Sequence, residues 1–74
     1  MQDFVFPQFR KLVNDKSFYR IDDLRHFTEK QIIGHQRILF TFEAIQYPEI
    51  LRIQDMLQCT EGFALSSQEE FEKK

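Results

Sequence analysis

Gly34 and His35 form the feature that most constrains how this chain folds. Apolar and polar side chains alternate in the runs on both sides of this pair, residues 25–33 and 36–45. Glycine at the first position of a two-residue loop is typical of a type II′ turn, which joins two antiparallel strands. The sequence therefore predicts a β-hairpin in which Phe27 lies opposite Phe42.

That register sorts the hairpin side chains into two faces. The apolar face contains Phe27, Ile33, Ile38, Phe40, Phe42 and Ala44. The opposite face is nearly all polar and contains His26, Thr28, Lys30, Arg37, Thr41 and Glu43. One buried and one solvated face is typical of a two-layer antiparallel sheet. We therefore expect Phe27, Phe40 and Phe42 to be core side chains covered by helices, not an exposed platform for stacking bases.

The alternation has exceptions, and an alternative remains open. The misplaced residues are Glu29 and Gln31 on the apolar face and Ile32 and Leu39 on the polar face. We expect Glu29 either at the uncovered rim of the sheet or in a register shifted by one residue. Residues 22–33 could instead form a helix capped by Asp22 or Asp23. The turn signal at Gly34 favours the hairpin.

The N-terminal region has the spacing of a short helix. Pro7 suits a first helical position, and Phe9, Leu12 and Val13 fall at i, i+3 and i+4. Arg10 would lie near the helix C-terminus, where the helix dipole favours cations. These patterns predict a helix over residues 7–14.

The remaining elements follow from changes in period. Residues 16–21, rich in aromatic and β-branched side chains, predict a strand that ends at the turn residues Asp22 and Asp23. Residues 48–58 favour a helix that begins at Pro48, although a strand through residues 50–53 stays open.

The C-terminal region predicts a short strand and a short helix. Residues 63–65 are long enough for a final strand after Gly62. A helix over residues 68–74 would be held by Phe71. Its capping box has two possible registers, Ser66 with Glu69 or Ser67 with Glu70.

Together these elements predict one small α+β domain spanning residues 1–74. We expect the order α-β-β-β-α-β-α, with an antiparallel sheet of three to four strands and short helices packed on one face. With 74 residues, nine phenylalanines and no tryptophan, most of the rings are needed in the core.

Composition limits the chemistry. The lone cysteine, Cys59, excludes an intramolecular disulfide, and no run approaches the length of a membrane span or a signal peptide. We therefore expect a cytoplasmic protein without a membrane anchor. His26, His35 and Cys59 lack the spacing of a metal site, and no glycine-rich phosphate loop occurs, so we expect no metal, no cofactor and no enzymatic activity.

Protein–protein interaction, with an unknown partner or with itself, is the function class that these features favour. Residues 1–40 carry seven basic and five acidic side chains, whereas residues 41–74 carry three and seven, a dipole that could orient a partner. The alternative is single-stranded RNA binding through one face of the hairpin. Its candidate contacts are Tyr19, Arg20, Lys30 and Arg37. The acidic balance, a net charge of −2, argues against this alternative.

Overall fold

A computed structural model describes residues 4–74, which form five β-strands and two α-helices. In chain order these are β1 (Gln8–Leu12), β2 (Ser17–Ile21), β3 (His26–Ile33), β4 (Gln36–Glu43), α1 (Tyr47–Gln58), β5 (Phe63–Leu65) and α2 (Gln68–Lys73). The α+β class is confirmed, and the strands number five, not three to four.

The strands form one antiparallel sheet with the order β4-β3-β2-β1-β5. The hairpin has the predicted register, because Ile33 pairs with Gln36 and Phe27 pairs with Phe42. Gly34 adopts a φ of 60°, the sign that the first loop position of a type II′ turn requires. The alternative helix over residues 22–33 is wrong, since β3 occupies most of that range.

One face of the sheet, here the α1 face, holds the main core. Alternation along the strands places Tyr19, Ile21 and Phe27 on this face. All three are buried and pack in one cluster with the helical side chains Ile53, Met56 and Leu57. The predicted helix over residues 48–58 is therefore confirmed as α1, whose buried side chains are Ile53, Met56 and Leu57.

The opposite face, here the α2 face, is covered by the short C-terminal helix. The ring centroids of Phe71 and Phe9 lie 5.9 Å apart, and Phe18 is fully buried on the same face. Ser67 is the N-cap, and its side chain accepts a hydrogen bond from the backbone nitrogen of Glu70, which selects the second predicted capping register. The helices thus lie on opposite faces, and the expectation that both cover one face is wrong.

The predicted helix over residues 7–14 is also wrong, because residues 8–12 form β1. Phe9 packs against α2, whereas Leu12 packs against the core on the α1 face, so side chains three residues apart point in opposite directions. Val13 is 70% exposed. Pairing with β2 on one side and β5 on the other stabilises the extended form over the helix that the apolar spacing favours.

The two helices of the described residues also bear on membrane insertion. Neither α1 nor α2 has the length and hydropathy that crossing a bilayer requires.

Candidate protein-interaction surface

Strand β4 is the last strand of the sheet, and no described residue pairs with its outer side. It runs for eight residues without a proline. The other end of the sheet is β5, which has only three residues. Proteins usually shorten, charge or cover such edges, because an exposed main-chain edge pairs readily with another strand. The outer side of Gln36–Glu43, here the β4 edge, is therefore the structure's main candidate for a contact surface.

The hydrogen-bonding direction along β4 follows from the hairpin. Ile33 and Gln36 flank the two-residue loop, and the backbone nitrogen of Ala44 donates to the carbonyl of Arg25. Even-numbered residues of β4 therefore bond to β3, because pairs alternate along an antiparallel ladder. The residues whose main-chain groups point outward are Arg37, Leu39, Thr41 and Glu43.

The row of apolar side chains on the α1 face is only partly covered. Phe27 is 2% exposed and its ring stacks on that of Phe42 at a centroid distance of 4.8 Å. Farther along, Ile38 is half-buried and Phe40 is 40% exposed. The prediction that the rings of Phe27, Phe40 and Phe42 are hidden is thus confirmed for Phe27, holds in part for the half-buried Phe42 and is wrong for Phe40. We call Ile38, Phe40 and Phe42 the apolar strip.

Helix α1 covers the α1 face of the sheet only as far as β3, because the side chain that it places there is Arg52. The guanidinium of Arg52 lies over the rings of Tyr19 and Phe27, at 5.7 and 5.8 Å from their centroids. Ile53, on the same helix, is fully buried over the centre of the sheet. The polar end of Arg52 thus marks the boundary between the core and the apolar strip of β4.

Glu29 lies at this boundary and is 5% exposed, so the expected position at an uncovered rim is wrong. The alternative of a shifted register is wrong too, because Glu29 pairs with Phe40 in the predicted register. Its Oε2 accepts hydrogen bonds from the Tyr19 hydroxyl and from Gln31 Nε2, both at 3.2 Å. Arg52 Nη2 lies 3.7 Å from its Oε1. Partners on three sides explain how a carboxylate is tolerated on an apolar face. Burial, helped by the charge of Glu29, raises the pKa of the Tyr19 hydroxyl, which Arg52 only partly offsets.

The four residues predicted for RNA binding do not form one surface. Tyr19 is 1% exposed and lies on the α1 face. Arg20, Lys30 and Arg37 share the α2 face, but each is engaged. Arg20 pairs with Asp22, Lys30 Nζ donates to the carbonyl of Phe71 at 2.8 Å, and Arg37 Nε donates to that of Lys74 at 2.8 Å. The structure therefore separates the only ring of the predicted set from its cations.

His26 forms the main titratable cluster near β4. Its Nδ1 lies 2.9 Å from Asp23 Oδ1, and its Nε2 lies 3.3 Å from Glu43 Oε2. The hydrogen bond with Asp23, followed by the charges of both carboxylates, raises the pKa of His26 above its ordinary value of 6.5. Within residues 4–74 no group of three or more histidine, cysteine, aspartate or glutamate side chains is arranged to hold a metal ion.

Two residues of structural importance are missed by sequence reasoning. Leu39 is assigned to the polar face as an exception, and it is 61% exposed on the β4 edge. Arg10, assigned to a helix end, is 4% exposed in a strand and binds the C-terminus of α1. The break in alternation at Leu39 is the signal that could have identified an apolar edge. No local signal identifies the contact of Arg10.

Comparison of the chain with protein-family models, with curated proteins and with solved structures finds no match.

Proposed function

We propose that this chain is a protein-interaction module that binds an extended polypeptide strand along the β4 edge. The observation that carries the proposal is an eight-residue edge strand without proline that exposes apolar side chains on both faces, Phe40 on one and Leu39 on the other. An added strand gains main-chain hydrogen bonds from the edge, and its alternate side chains contact each face.

The other candidate surfaces are less suited to binding a partner than the β4 edge. The edge of β5 has only three residues, and helix α2 begins after two further residues. The cations Lys30 and Arg37 of the RNA hypothesis bind main-chain carbonyls of α2 and of Lys74. The proposal assigns no catalytic step to the chain and places the interaction in the cytoplasm, the compartment that a single free cysteine favours.

Site-specific photo-crosslinking tests the proposal. A benzophenone amino acid is placed at Leu39 on the β4 edge or, as the matched control, at Leu65 on the opposite edge of the sheet. Both positions carry exposed leucines, at 61% and 69%. We expect cross-links from position 39 to an extended segment of a polypeptide, mapped by mass spectrometry, and few from position 65.

A proline variant provides the second control. Thr41→Pro removes an outward N–H and leaves the bonds to β3 in place, because proline is tolerated where the N–H faces solvent on an edge strand. We expect it to keep the dispersed amide spectrum of the parent and to lose the cross-links from position 39. Equal cross-linking from positions 39 and 65, or cross-links from 39 to RNA, would contradict the proposal.

A further inference from the structure

Resting on the proposed function, we infer that the strand bound at the β4 edge is β4 of a second copy. The two strands run antiparallel about a two-fold axis at Phe40. The sequence of β4 is self-complementary in this arrangement, because Arg37 lies opposite Glu43 of the second copy and Glu43 lies opposite its Arg37. Each end of the strand thus carries the charge that the other end requires. The atoms for this contact are Arg37 Nη2 and Glu43 Oε1, since Arg37 bonds within the chain through Nε and Nη1 and Glu43 faces His26 through Oε2.

The hydrogen-bonding pattern agrees with this register. Arg37, Leu39, Thr41 and Glu43 are the residues whose main-chain groups point outward from the hairpin. With Phe40 on the axis, Arg37 faces Glu43 and Leu39 faces Thr41, so outward groups meet outward groups along the whole strand. The sheets of the two copies then form one continuous sheet.

The side chains agree as well. On the α1 face, Ile38, Phe40 and Phe42 meet Phe42, Phe40 and Ile38 of the second copy, and the two apolar strips become continuous. On the α2 face, the exposed Leu39 of each copy covers the methyl group of Thr41 of the other copy. Cross-strand pairs of aromatic and β-branched side chains are among the favourable ones in antiparallel sheets.

Alternative registers lose these matches. A shift of one residue places the apolar strip of one copy beside the polar side chains on the α2 face of the other. A shift of two residues removes the ion pairs between Arg37 of one copy and Glu43 of the other. Parallel pairing in register aligns Arg37 with Arg37 and Glu43 with Glu43, which is unfavourable.

Charge exchange with sedimentation analysis tests the inference. Arg37→Glu and Glu43→Arg each turn both cross-strand contacts into repulsions, and we expect each variant alone to dimerise about tenfold more weakly than the parent. Their equimolar mixture restores both contacts, because one copy then carries two acids at these positions and the other two bases. We expect the mixture to form a heterodimer about as tight as the parent dimer, within roughly threefold.

Disulfide trapping tests the register. In a Cys59→Ser background, Phe40→Cys places two thiols on the axis, where Cα atoms of a non-hydrogen-bonded pair lie about 4.5 Å apart, within disulfide range. We expect an intermolecular disulfide. Thr41→Cys is the matched control and should stay reduced, since its symmetry mate lies two residues farther along the strand.

The outcomes separate this inference from the proposed function. A parent that sediments as a monomer at high concentration, while position 39 still cross-links to a different polypeptide, contradicts self-pairing and leaves the interaction function standing. Monomers without specific cross-links from position 39 contradict both. A dimer that forms in the single charge variants as readily as in the mixture contradicts the β4–β4 arrangement.

Discussion

Arg10 Nε donates a 2.9 Å hydrogen bond to the carbonyl oxygen of Met56, a residue 46 positions away. Its Nη2 donates to the next carbonyl, that of Leu57, at 3.1 Å. The last carbonyls of a helix have no partner within the helix and carry its negative dipole end. Helix α1 has no basic residue in its last turn, so strand β1 supplies the cation that the helix lacks.

Replacing Arg10 should therefore destabilise the whole domain. Arg10→Met removes the side-chain donor of the buried Leu57 carbonyl and one of the two donors of the Met56 carbonyl, which keeps the backbone nitrogen of Cys59. We expect a loss of about 1–3 kcal/mol in the free energy of unfolding. Urea denaturation measures it. The matched control is Arg20→Met. The Arg20 side chain is 43% exposed and pairs with Asp22, and we expect a loss below about 1 kcal/mol. Equal losses would refute this role of Arg10.

The boundary of the core can be tested with two phenylalanines of the hairpin. Phe27→Ala removes a ring that is 2% exposed, and we expect it to cost about 3–5 kcal/mol. Phe40→Ala removes a ring that is 40% exposed, and we expect about 1 kcal/mol. Thermal unfolding at low protein concentration, where association does not contribute, gives both values. Similar losses for the two variants would mean that Phe40 is core after all.

The hydrogen bonds that Glu29 accepts should contribute more to the stability of the fold than its ion pair with Arg52. Glu29→Met removes the acceptor of the hydrogen bonds from the buried Tyr19 hydroxyl and from Gln31, with an expected cost of about 1–3 kcal/mol. Arg52→Met removes a side chain that is 44% exposed and 3.7 Å away, and we expect less than about 1 kcal/mol. Chemical denaturation of both variants compares them. A larger loss for Arg52→Met would show that the ion pair dominates.

The stability of the hairpin base should depend on pH through His26. The hydrogen bond with Asp23 raises the pKa of His26 above 6.5 in the folded state, so folding favours the protonated ring. The resulting stabilisation is complete below 6.5 and is lost as the pH rises through the higher folded-state pKa. At low pH the stabilisation is lost when the carboxylate of Asp23 is protonated, and the pKa of Asp23 is itself lowered from its ordinary value of 3.8.

Histidine NMR titration measures this shift directly. We expect the pKa of His26 to lie above 6.5 in the parent and to move down in Asp23→Asn. The stability difference between the parent and His26→Gln should be present at pH values below 6.5 and should shrink above the folded-state pKa. An unchanged titration in Asp23→Asn would exclude the carboxylate as the cause.

Much of the fold is predictable because it rests on local signals. The turn at Gly34 sets the hairpin register, Pro48 lies in the first turn of α1, and Ser67 caps the start of α2. Strand β1 is not predictable in this way, since the spacing of Phe9 and Leu12 fits a helix as well as a strand. Its extended form is stabilised by pairing with β2 and with β5, and β5 lies far along the chain.

The candidate surface is only half predictable, for a different reason. Alternation shows that Phe27, Phe40 and Phe42 share a face, but it does not show how far along that face a helix reaches. That limit depends on where Arg52 of α1 lies in space. The outward direction of the β4 edge likewise follows from strand order, which brings β1 and β5 to the other end of the sheet.

The most direct test of strand addition at the β4 edge is an isotope-filtered NOE experiment on a mixture of labelled and unlabelled protein. In the inferred register Ile38 and Phe42 of the second copy form a non-hydrogen-bonded pair, whose α-protons lie close together. We expect strong intermolecular NOEs between these α-protons and between the two Phe40 α-protons. Intermolecular NOEs confined to β5 or to the helices, or none in a sample that sediments as a dimer, would contradict the account.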